Sequence, residues 1–363
     1  MTPLREEGLW RGFVQGVLEW AGGPLPALVG QVVLFVSAHL TFCVRRLTAG
    51  RIERKLEEVS LKGPAMPLWN NIAELMDYYL PPLPTVYWFD IIRLCNLKCV
   101  MCPQSQGLRP LRDKMSIEVF RHAIDDICEN RPLVKLYLSG EPLLHQQLFE
   151  MIEYAGDHGC RTMLHTNATV LTKKMAERVL SSSLDFLCFS FDGCSPAVYE
   201  KLRPPSQFGH VKSNILQYLS LRRQQGGAGP RTSIEIILMG ETVDKIDTFV
   251  EEWRGMGVDD VHIAQYTTWH GLVDDRRVRK PPRPVGYKPC AAPFSYGCIL
   301  ADGTVVPCCL DVNGRMPLGN IADGGFRAIW SGNEFRQLRL QMLAGTLEPG
   351  GLCERCDNIS REI

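Results

Sequence analysis

The sequence lacks an excess of charge of either sign. Its 363 residues contain 40 Lys and Arg and 40 Asp and Glu, so the formal net charge is zero. Proteins that bind nucleic acids usually carry a basic face, so we expect no nucleic-acid partner. Hydrophobic residues make up 45% and charged residues 22%, which is ordinary globular composition and excludes disorder, collagen and coiled coil for the whole chain.

Charged residues are absent between Trp20 and Val44. An uncharged stretch of more than about 18 residues is a candidate membrane segment. Gly, Pro, Gln and His interrupt this one, so a buried helical cap is the alternative interpretation. Glu6 and Glu7 argue against a signal peptide, which begins with a basic region. We expect residues 1–84 to form an apolar helical extension of a cytoplasmic protein, with membrane contact through residues 20–44 left open.

Strand-like and helix-like segments alternate over residues 85–270. The helix-like segments carry apolar residues at helical spacing, as Phe120, Ile124 and Ile127 do. Six such units predict an α/β fold with a parallel sheet, curved or closed. The predicted strands are Val86–Leu94, Val134–Ser139, Arg161–Thr166, Asp185–Ser190, Ser233–Met239 and Val261–Tyr266. The predicted helices are Ser116–Glu129, Gln146–His158, Thr172–Ser181, His210–Gln224 and Thr242–Met256.

Polar motifs follow four of the predicted strands. Cys95 follows the first strand and Ser139-Gly140-Glu141-Pro142 the second, while Thr166-Asn167 and Ser190-x-Asp192 end the third and fourth. Functional sites of parallel α/β folds lie at the carboxyl ends of the strands. The sequence therefore predicts one site built from these motifs.

Three of the 14 cysteines, Cys95, Cys99 and Cys102, form a C-x3-C-x2-C run. A structural zinc ion needs four closed ligands, whereas iron–sulfur clusters are held by Cys thiolates. Three local thiolates on a short loop favour a cluster with one open iron. A zinc site completed by a distant residue is the alternative. Cys128, Cys160 and Cys188 are expected to be small buried hydrophobes.

The cysteine run, placed after the first strand of a βα repeat, resembles the radical SAM superfamily over roughly residues 85–270. The resemblance implies a partial (β/α)6 barrel, taken here as residues 85–284. It also implies a [4Fe-4S] cluster on Cys95, Cys99 and Cys102 that binds S-adenosylmethionine (SAM). In that family the reduced cluster cleaves SAM to a 5′-deoxyadenosyl radical, which abstracts a substrate hydrogen. A one-electron reductant such as flavodoxin or ferredoxin is then an expected partner.

Other motifs are similar to the SAM-binding motifs of that family and occur in the same order. Residues 139–142 resemble its GGEP motif, with Ser139 in place of the first Gly. Each motif alone also fits an ordinary turn or surface position. The resemblance assigns SAM binding to Met101, Ser139, Gly140, Glu141, Pro142, Thr166, Asn167, Ser190, Asp192 and Arg203.

The C-terminal cysteines resemble the SPASM/twitch extension of radical SAM enzymes. Residues 285–363 are therefore expected to be a small cysteine-rich α+β domain, with a hairpin over Gly297–Pro307 and a helical stretch over Phe326–Leu343. The chain has too few cysteines for two auxiliary clusters, so we expect one auxiliary [4Fe-4S] cluster. Its expected ligands are Cys290, Cys308, Cys353 and Cys356.

Two cysteines of this region are left over. The Gly303-x4-Cys308 spacing selects Cys308 over Cys309 as a ligand, although that choice stays open. Cys309 and Cys298 are then candidate hydrogen-atom donors, because a thiol can quench a carbon radical, or they are structural. A zinc knuckle made from the same four cysteines is the alternative to a cluster.

The expected enzyme is a radical SAM oxidoreductase or epimerase acting on a small polar substrate such as a sugar or aminocyclitol, with the auxiliary [4Fe-4S] cluster assisting electron transfer. Peptide maturation, modification of a lipid-linked substrate and, outside enzymes, a zinc-binding interaction protein are the alternatives. Residues near the last strands are expected to line the substrate chamber: Glu235, Gln265, Tyr266 and His270.

Overall fold

The computed structural model describes Met76 and residues 80–106, 114–273 and 289–357. The prediction of an apolar helical extension falls almost entirely outside these residues. Within them, no helix is both long enough and apolar enough to cross a membrane.

Six parallel strands form the centre of the fold, as predicted. The strands are β1 (Val86–Phe89), β2 (Leu133–Lys135), β3 (Arg161–Thr166), β4 (Phe186–Ser190), β5 (Arg231–Leu238) and β6 (Asp260–Gln265). They lie in sequence order, each hydrogen-bonded to the next. The helices that connect them are α1 (Ile117–Ile127), α2 (Leu148–Asp157), α3 (Lys173–Leu180), α4 (Pro196–Leu202), α5 (Phe208–Gln224) and α6 (Ile246–Met256). This order confirms the partial (β/α)6 architecture.

The same sheet continues into the C-terminal region. Strand β7 (Gly297–Ile299) pairs parallel with β1, opposite Tyr87–Phe89. Strands β8 (Thr304–Val305) and β9 (Gly319–Asn320) then add in antiparallel order, which confirms the predicted hairpin. The helices of this region are α7 (Ala292–Ser295), α8 (Gly325–Trp330) and α9 (Asn333–Ala344). The predicted helical stretch over residues 326–343 is thus two helices.

Helices cover one face of the sheet with an apolar layer. Ser116 caps α1 by accepting a hydrogen bond from Val119 N at 3.3 Å, and the buried face of that helix carries Phe120 and Ile124. The covered face of the sheet contributes alternate strand residues, because side chains alternate across a strand. They include Leu164, Leu187, Phe189, Ile234 and Ile236. The residues between them face the opposite side, the interior of the partial barrel.

Strands β1 and β2 are several residues shorter than predicted, and helices α4 and α7 were not predicted. Strand β1 ends at Phe89 rather than Leu94, and the buried Asp90 that follows it directs its carboxylate toward Ser139 and Arg93. Strand β2 ends at Lys135, although Leu136 N still donates to Met163 O at 2.8 Å. Helix α4 begins after Ser195, which accepts a hydrogen bond from Val198 N.

Candidate active site

The three-cysteine loop is fixed by backbone hydrogen bonds to the end of α4. Lys98 N donates to Pro204 O at 2.7 Å, and Val100 N donates to Leu202 O at 2.9 Å. Around this contact, Cys95, Cys99 and Cys102 share one small apolar cluster; its buried members are Leu97, Cys99, Met101, Leu202, Met239 and Tyr266. Met101 O also accepts a hydrogen bond from Trp269 Nε1 at 3.1 Å. The loop therefore gathers the three thiols at the carboxyl edge of the sheet.

Burial in the loop makes all three thiols harder to deprotonate. Burial raises the pKa of Cys95 to about 11 and that of Cys102 to about 12, and the neighbouring thiols add to both shifts. Burial also raises the pKa of Cys99. A metal cluster that binds here has to displace three protons, as metal binding to thiols does generally.

A buried ion pair lies directly against the loop. Arg203 Nε and Nη2 contact Asp192 Oδ2 at 2.8 and 2.7 Å, and Arg203 Nη1 lies 3.9 Å from Cys99 Sγ. The other carboxylate oxygen of Asp192 accepts a hydrogen bond from Ile237 N at 2.6 Å. The guanidinium is thereby held between the Asp192 carboxylate, whose negative charge it offsets, and the Cys99 thiol.

Glu141 organises the second and third strand ends. Its Oε1 accepts hydrogen bonds from Thr166 Oγ1 at 2.7 Å and Leu143 N at 3.1 Å, and its Oε2 accepts one from Asn167 N at 2.7 Å. Burial raises the pKa of Glu141, and these donors oppose the rise. Asn167 Nδ2 in turn lies 3.8 Å from Cys95 Sγ. The residues that the sequence grouped as motifs are therefore one connected network.

Asp90 and Arg93 belong to the same site, although the sequence analysis missed them. Asp90 Oδ1 accepts hydrogen bonds from Ser139 N at 3.2 Å and Ser139 Oγ at 2.7 Å. Asp90 Oδ2 pairs with Arg93 Nε at 2.7 Å, and Arg93 Nη2 reaches Val312 O in the C-terminal region. The available signal was two opposite charges, three residues apart, directly after an apolar strand.

Gly140 stands where no side chain fits. A Cβ atom on it would lie 2.1 Å from Ile92 O and 2.8 Å from Leu94 O. The next residue, Glu141, donates its N–H to Leu94 O at 2.9 Å, and the buried Pro142 begins a 3₁₀ turn over Pro142–Leu144. The 139–142 loop is thus packed backbone to backbone against the chain that leads into the cysteine loop.

The C-terminal cysteines converge on a second position. Burial raises the pKa of Cys308 well above its ordinary value, and the neighbouring thiols of Cys309, Cys290 and Cys356 raise it further. Cys353 begins the 3₁₀ turn Cys353–Arg355, which brings it next to Cys356. The following residue, Asp357, accepts a hydrogen bond from Thr268 N at 2.6 Å. This contact ties the second cysteine group to the end of the barrel.

The two surplus cysteines lie together on a different side. Cys298 and Cys309 share a small apolar cluster with Trp88, Leu138 and others, whereas Cys308 packs in the main core. Cys309 Sγ lies 3.9 Å from the Tyr296 hydroxyl, and Tyr296 packs on Trp88. Adjacent residues thus point to opposite sides, with Cys309 on the barrel interior.

The four residues predicted to line a chamber are not grouped together. Glu235 faces the barrel interior between His165 and His262. Gln265 is exposed, Tyr266 is buried in the cysteine-loop cluster and His270 is buried beyond β6. Ser190 ends β4 directly opposite Glu235 in the sheet. Of the four, only Glu235 is placed among interior polar residues.

Two family models match consecutive parts of the chain. The radical SAM superfamily model matches residues 90–253, and the model of the iron–sulfur cluster-binding SPASM domain matches residues 290–357. The chain carries a radical SAM domain followed by a SPASM domain. A third model, type II CAAX prenyl endopeptidase Rce1-like, matches residues 1–72, which lie outside the described residues.

Among curated proteins, this radical SAM enzyme is similar to maturases and heme synthases. It is 24% identical to mycofactocin maturase MftC from Mycolicibacterium smegmatis over 308 residues, covering 75% of this chain and 77% of the relative. It is also 24% identical to the AdoMet-dependent heme synthase of Methanosarcina barkeri over 322 residues, covering 75% and 91%.

Solved structures show the same fold at low identity. SuiB of Streptococcus suis, bound to the precursor peptide SuiA, matches with a TM-score of 0.61 and 13% identity, covering 86% of this chain and 83% of SuiB. BtrN in complex with AdoMet and 2-DOIA matches with a TM-score of 0.53 and 18% identity, covering 77% and 96%.

The cofactors of this radical SAM enzyme are SAM, a SAM-binding [4Fe-4S] cluster and auxiliary iron–sulfur chemistry. The residues of the structure fit them. Thiolates are the usual ligands of such clusters, and each of the two cysteine groups brings thiols close enough to shift one another's pKa. Cys95, Cys99 and Cys102 would hold the first cluster. The second would be held by Cys290, Cys308, Cys353 and Cys356.

Proposed function

We propose that this radical SAM enzyme abstracts a hydrogen atom from a small polar substrate, sugar-like or aminocyclitol-like, and thereby oxidises or epimerises it. The observation that supports the proposal is the polar lining of the barrel interior, which carries Lys135, Tyr137, His165 and Glu235. Buried charges and polar groups need partners. A substrate with several hydroxyl or amino groups supplies them, whereas an apolar substrate does not.

Lys135 contacts strand β1, and the other three side chains form a chain of contacts that reaches strand β6. Lys135 Nζ lies 3.9 Å from the centre of the Trp88 ring. Tyr137 stacks on His165 with ring centres 3.8 Å apart, and His165 Nδ1 lies 3.9 Å from Glu235 Oε1. His262 Nδ1 contacts Glu235 Oε2 at 2.8 Å. The result is a band of donors and acceptors below the SAM-binding loops.

The protein groups have separate roles in the proposed reaction. When bound, the reduced cluster and SAM supply a 5′-deoxyadenosyl radical. Glu141 orients the Thr166–Asn167 segment, and Arg203 with Asp192 orients the cysteine loop, so the reacting atoms are held in position. The band of polar side chains holds the substrate and replaces water around it.

Cys309 is the better placed of the two candidate hydrogen-atom donors. It is partly exposed beside Tyr296, whereas Cys298 is fully buried. In epimerisation the Cys309 S–H bond breaks and a C–H bond forms on the substrate radical. One electron from the reductant partner and one proton then restore the thiol. In oxidation the substrate radical instead loses a proton to solvent and an electron, which the auxiliary cluster held by the C-terminal cysteines would accept, and Cys309 has no part.

Peptide maturation is the second candidate function. The similarity to MftC over 75% of this chain favours it. A peptide substrate would reach the same interior band with one side chain, so the two candidates share the SAM-binding residues and differ in what enters the barrel.

The protein is proposed to act in the cytoplasm, with a flavodoxin-like or ferredoxin-like reductant as electron donor. For the N-terminal segment, the alternative proposal is membrane contact through residues 20–44. A lipid-linked substrate belongs to that alternative. Sedimentation with vesicles tests this membrane contact. If residues 20–44 make the contact, the full chain should sediment with the vesicles, and a chain starting near Pro81 should stay in the supernatant.

Deuterium transfer tests the proposed function directly. Reconstituted protein, SAM and a reductant are incubated with deuterated candidate sugars, aminocyclitols or peptides, and deuterium in 5′-deoxyadenosine is measured by mass spectrometry. Transfer from a sugar or aminocyclitol supports the proposal. Deuterium transfer from a peptide alone would replace the sugar or aminocyclitol proposal with peptide maturation.

Substitution of the interior carboxylate gives a second test. Glu235→Gln should weaken apparent substrate binding more than SAM binding.

A further inference from the structure

Cys188 does not pack where the sequence placed it. Cys160 lies in the main apolar core, and Cys128 packs against that core, as expected of small hydrophobes. Cys188 is equally buried, with 1% exposure, but belongs to none of the apolar clusters of the described residues. It points from the middle of β4 into the barrel interior, so its neighbours there are polar.

Those neighbours are a histidine and a carboxylate from the adjacent strands. His165 of β3 is paired with Cys188 in register, and Glu235 of β5 is paired with Ser190, two residues further along β4. One ligand-type atom from each of the three side chains lies within 4.8 Å of the others. We infer that His165, Cys188 and Glu235 form a mononuclear binding site for a divalent transition-metal ion of the Zn²⁺ type, separate from both iron–sulfur sites.

The chemistry of the three donors fits such an ion. Zinc is bound by Cys sulfur, His nitrogen and carboxylate oxygen at about 2.0–2.3 Å, which places the ligand atoms of a tetrahedral site roughly 3.3–3.8 Å apart. Side-chain rotations that close the present spacing by about 1 Å reach that geometry. A thiolate and a carboxylate would also neutralise the charge of a divalent ion inside the barrel.

The state of His165 is a second, independent observation. Its Nε2 atom is buried and has no hydrogen-bond partner within the described part of the chain, although buried polar atoms are normally satisfied. Histidine is the commonest metal ligand among protein side chains, and it binds through a ring nitrogen such as this one. A metal ion supplies the partner that this nitrogen lacks.

Surrounding residues hold the three ligands in place. Tyr137 stacks on the His165 ring, and His262 Nδ1 contacts Glu235 Oε2 at 2.8 Å. Cys188 shares a side-chain hydrogen bond with Ser233. Such supporting contacts are typical of metal sites, where they fix the orientation of the ligands. Three protein ligands leave a fourth tetrahedral position open toward the barrel interior, as in catalytic zinc sites.

Zinc binding to the reconstituted full-length protein tests the inference without any activity assay. The protein with both clusters is incubated with Zn²⁺ and freed of excess, and its zinc and iron contents are measured together with its zinc-edge X-ray absorption. We expect one zinc per chain with a single sulfur ligand at about 2.3 Å and nitrogen or oxygen ligands at about 2.0–2.1 Å. Glu235→Gln and Cys188→Ala should reduce zinc content at least tenfold with iron content unchanged.

Two further variants keep the test decisive. Cys160→Ala removes a buried thiol from the apolar core and should retain the zinc. Cys188→Ser preserves side-chain volume, so it serves if Cys188→Ala fails to fold, and it should lose the zinc–sulfur signal. Absence of bound zinc in the wild type, a coordination shell made only of sulfur, or an unchanged sulfur signal in Cys188→Ser would each overturn the inference.

Discussion

At the residue scale, the site depends on residues that are closely packed or that form buried ion pairs. Gly140 allows two backbone segments to touch, and Asp192 compensates the charge of Arg203, which is itself buried against the Cys99 thiol. Such positions are expected to tolerate substitution far less than similar residues elsewhere in the chain. The chain offers a matched control for each of them.

Gly140→Ala should destabilise the protein and abolish SAM binding. Its Cβ would meet Ile92 O and Leu94 O, and backbone cannot move aside without displacing the cysteine loop. Gly209 in α5 has nothing within 4 Å of the corresponding position, so Gly209→Ala should be neutral or slightly stabilising, because Ala favours helix over Gly. Melting temperature and SAM binding by calorimetry measure both variants. Equal behaviour of the two would contradict the close packing.

Asp192→Asn should cost about 3 kcal/mol or more, because removing one member of a buried pair leaves the other charge uncompensated. The control is Glu150→Gln, since Arg121 and Glu150 form an exposed pair at 2.9 Å and exposed pairs contribute less than about 1 kcal/mol. Urea unfolding of both variants gives the comparison. A loss of stability in Asp192→Asn no larger than in the control would show that the Arg203 pair is unimportant.

At the element scale, the sequence predicted the six central strands and their alternation with helices because apolar runs and helical periodicity are local signals. The partial-barrel arrangement of those strands followed from the family resemblance instead. It missed α4, although Ser195 followed by Pro196 is a recognised start signal for a helix. It also could not predict that β7 joins β1, since three residues such as Gly297–Ile299 carry no information about a distant partner strand. The side toward which Cys188 points was likewise hidden, because β4 is buried on both faces.

Helix α4 positions the cysteine loop, so destabilising the start of α4 should weaken the binding of iron by that loop. Ser195→Ala and Thr172→Ala each remove a side-chain cap, from α4 and α3 respectively, and each should cost about 1 kcal/mol. Only Ser195→Ala should also speed the loss of iron to a chelator, because Leu202 and Pro204 hold the loop. Identical rates of iron loss in the two variants would show that α4 has no such role.

At the scale of the whole molecule, the barrel and the SPASM region share one sheet and several specific contacts. Arg93 donates to Val312 O, and the exposed Arg327 pairs with Glu129, in the turn that follows α1, at 2.6 Å. Trp330 packs on Phe326, which in turn packs on Tyr87 of β1. The boundary predicted at residue 284 lies outside the described residues, between two regions that contribute strands to one continuous sheet.

A chain ending at residue 284 should not give a stable barrel. Truncation exposes the β1 edge and the Tyr87 ring, and exposed apolar sheet edges promote aggregation. Soluble yield and size-exclusion behaviour measure the effect. A monodisperse, SAM-binding truncated protein would instead show that the two regions are independent.

The central claim is that the Cys95–Cys102 loop holds the cluster that cleaves SAM, and that the C-terminal cysteines hold another. The most direct measurement is 5′-deoxyadenosine formation from SAM by the anaerobically reconstituted, reduced protein, with iron counted in the same samples. The wild type should form the product and hold about eight irons. Cys99→Ala should form none and retain about four irons in the auxiliary site. Product formation by Cys99→Ala, or a wild type that binds zinc and no iron, would contradict the account.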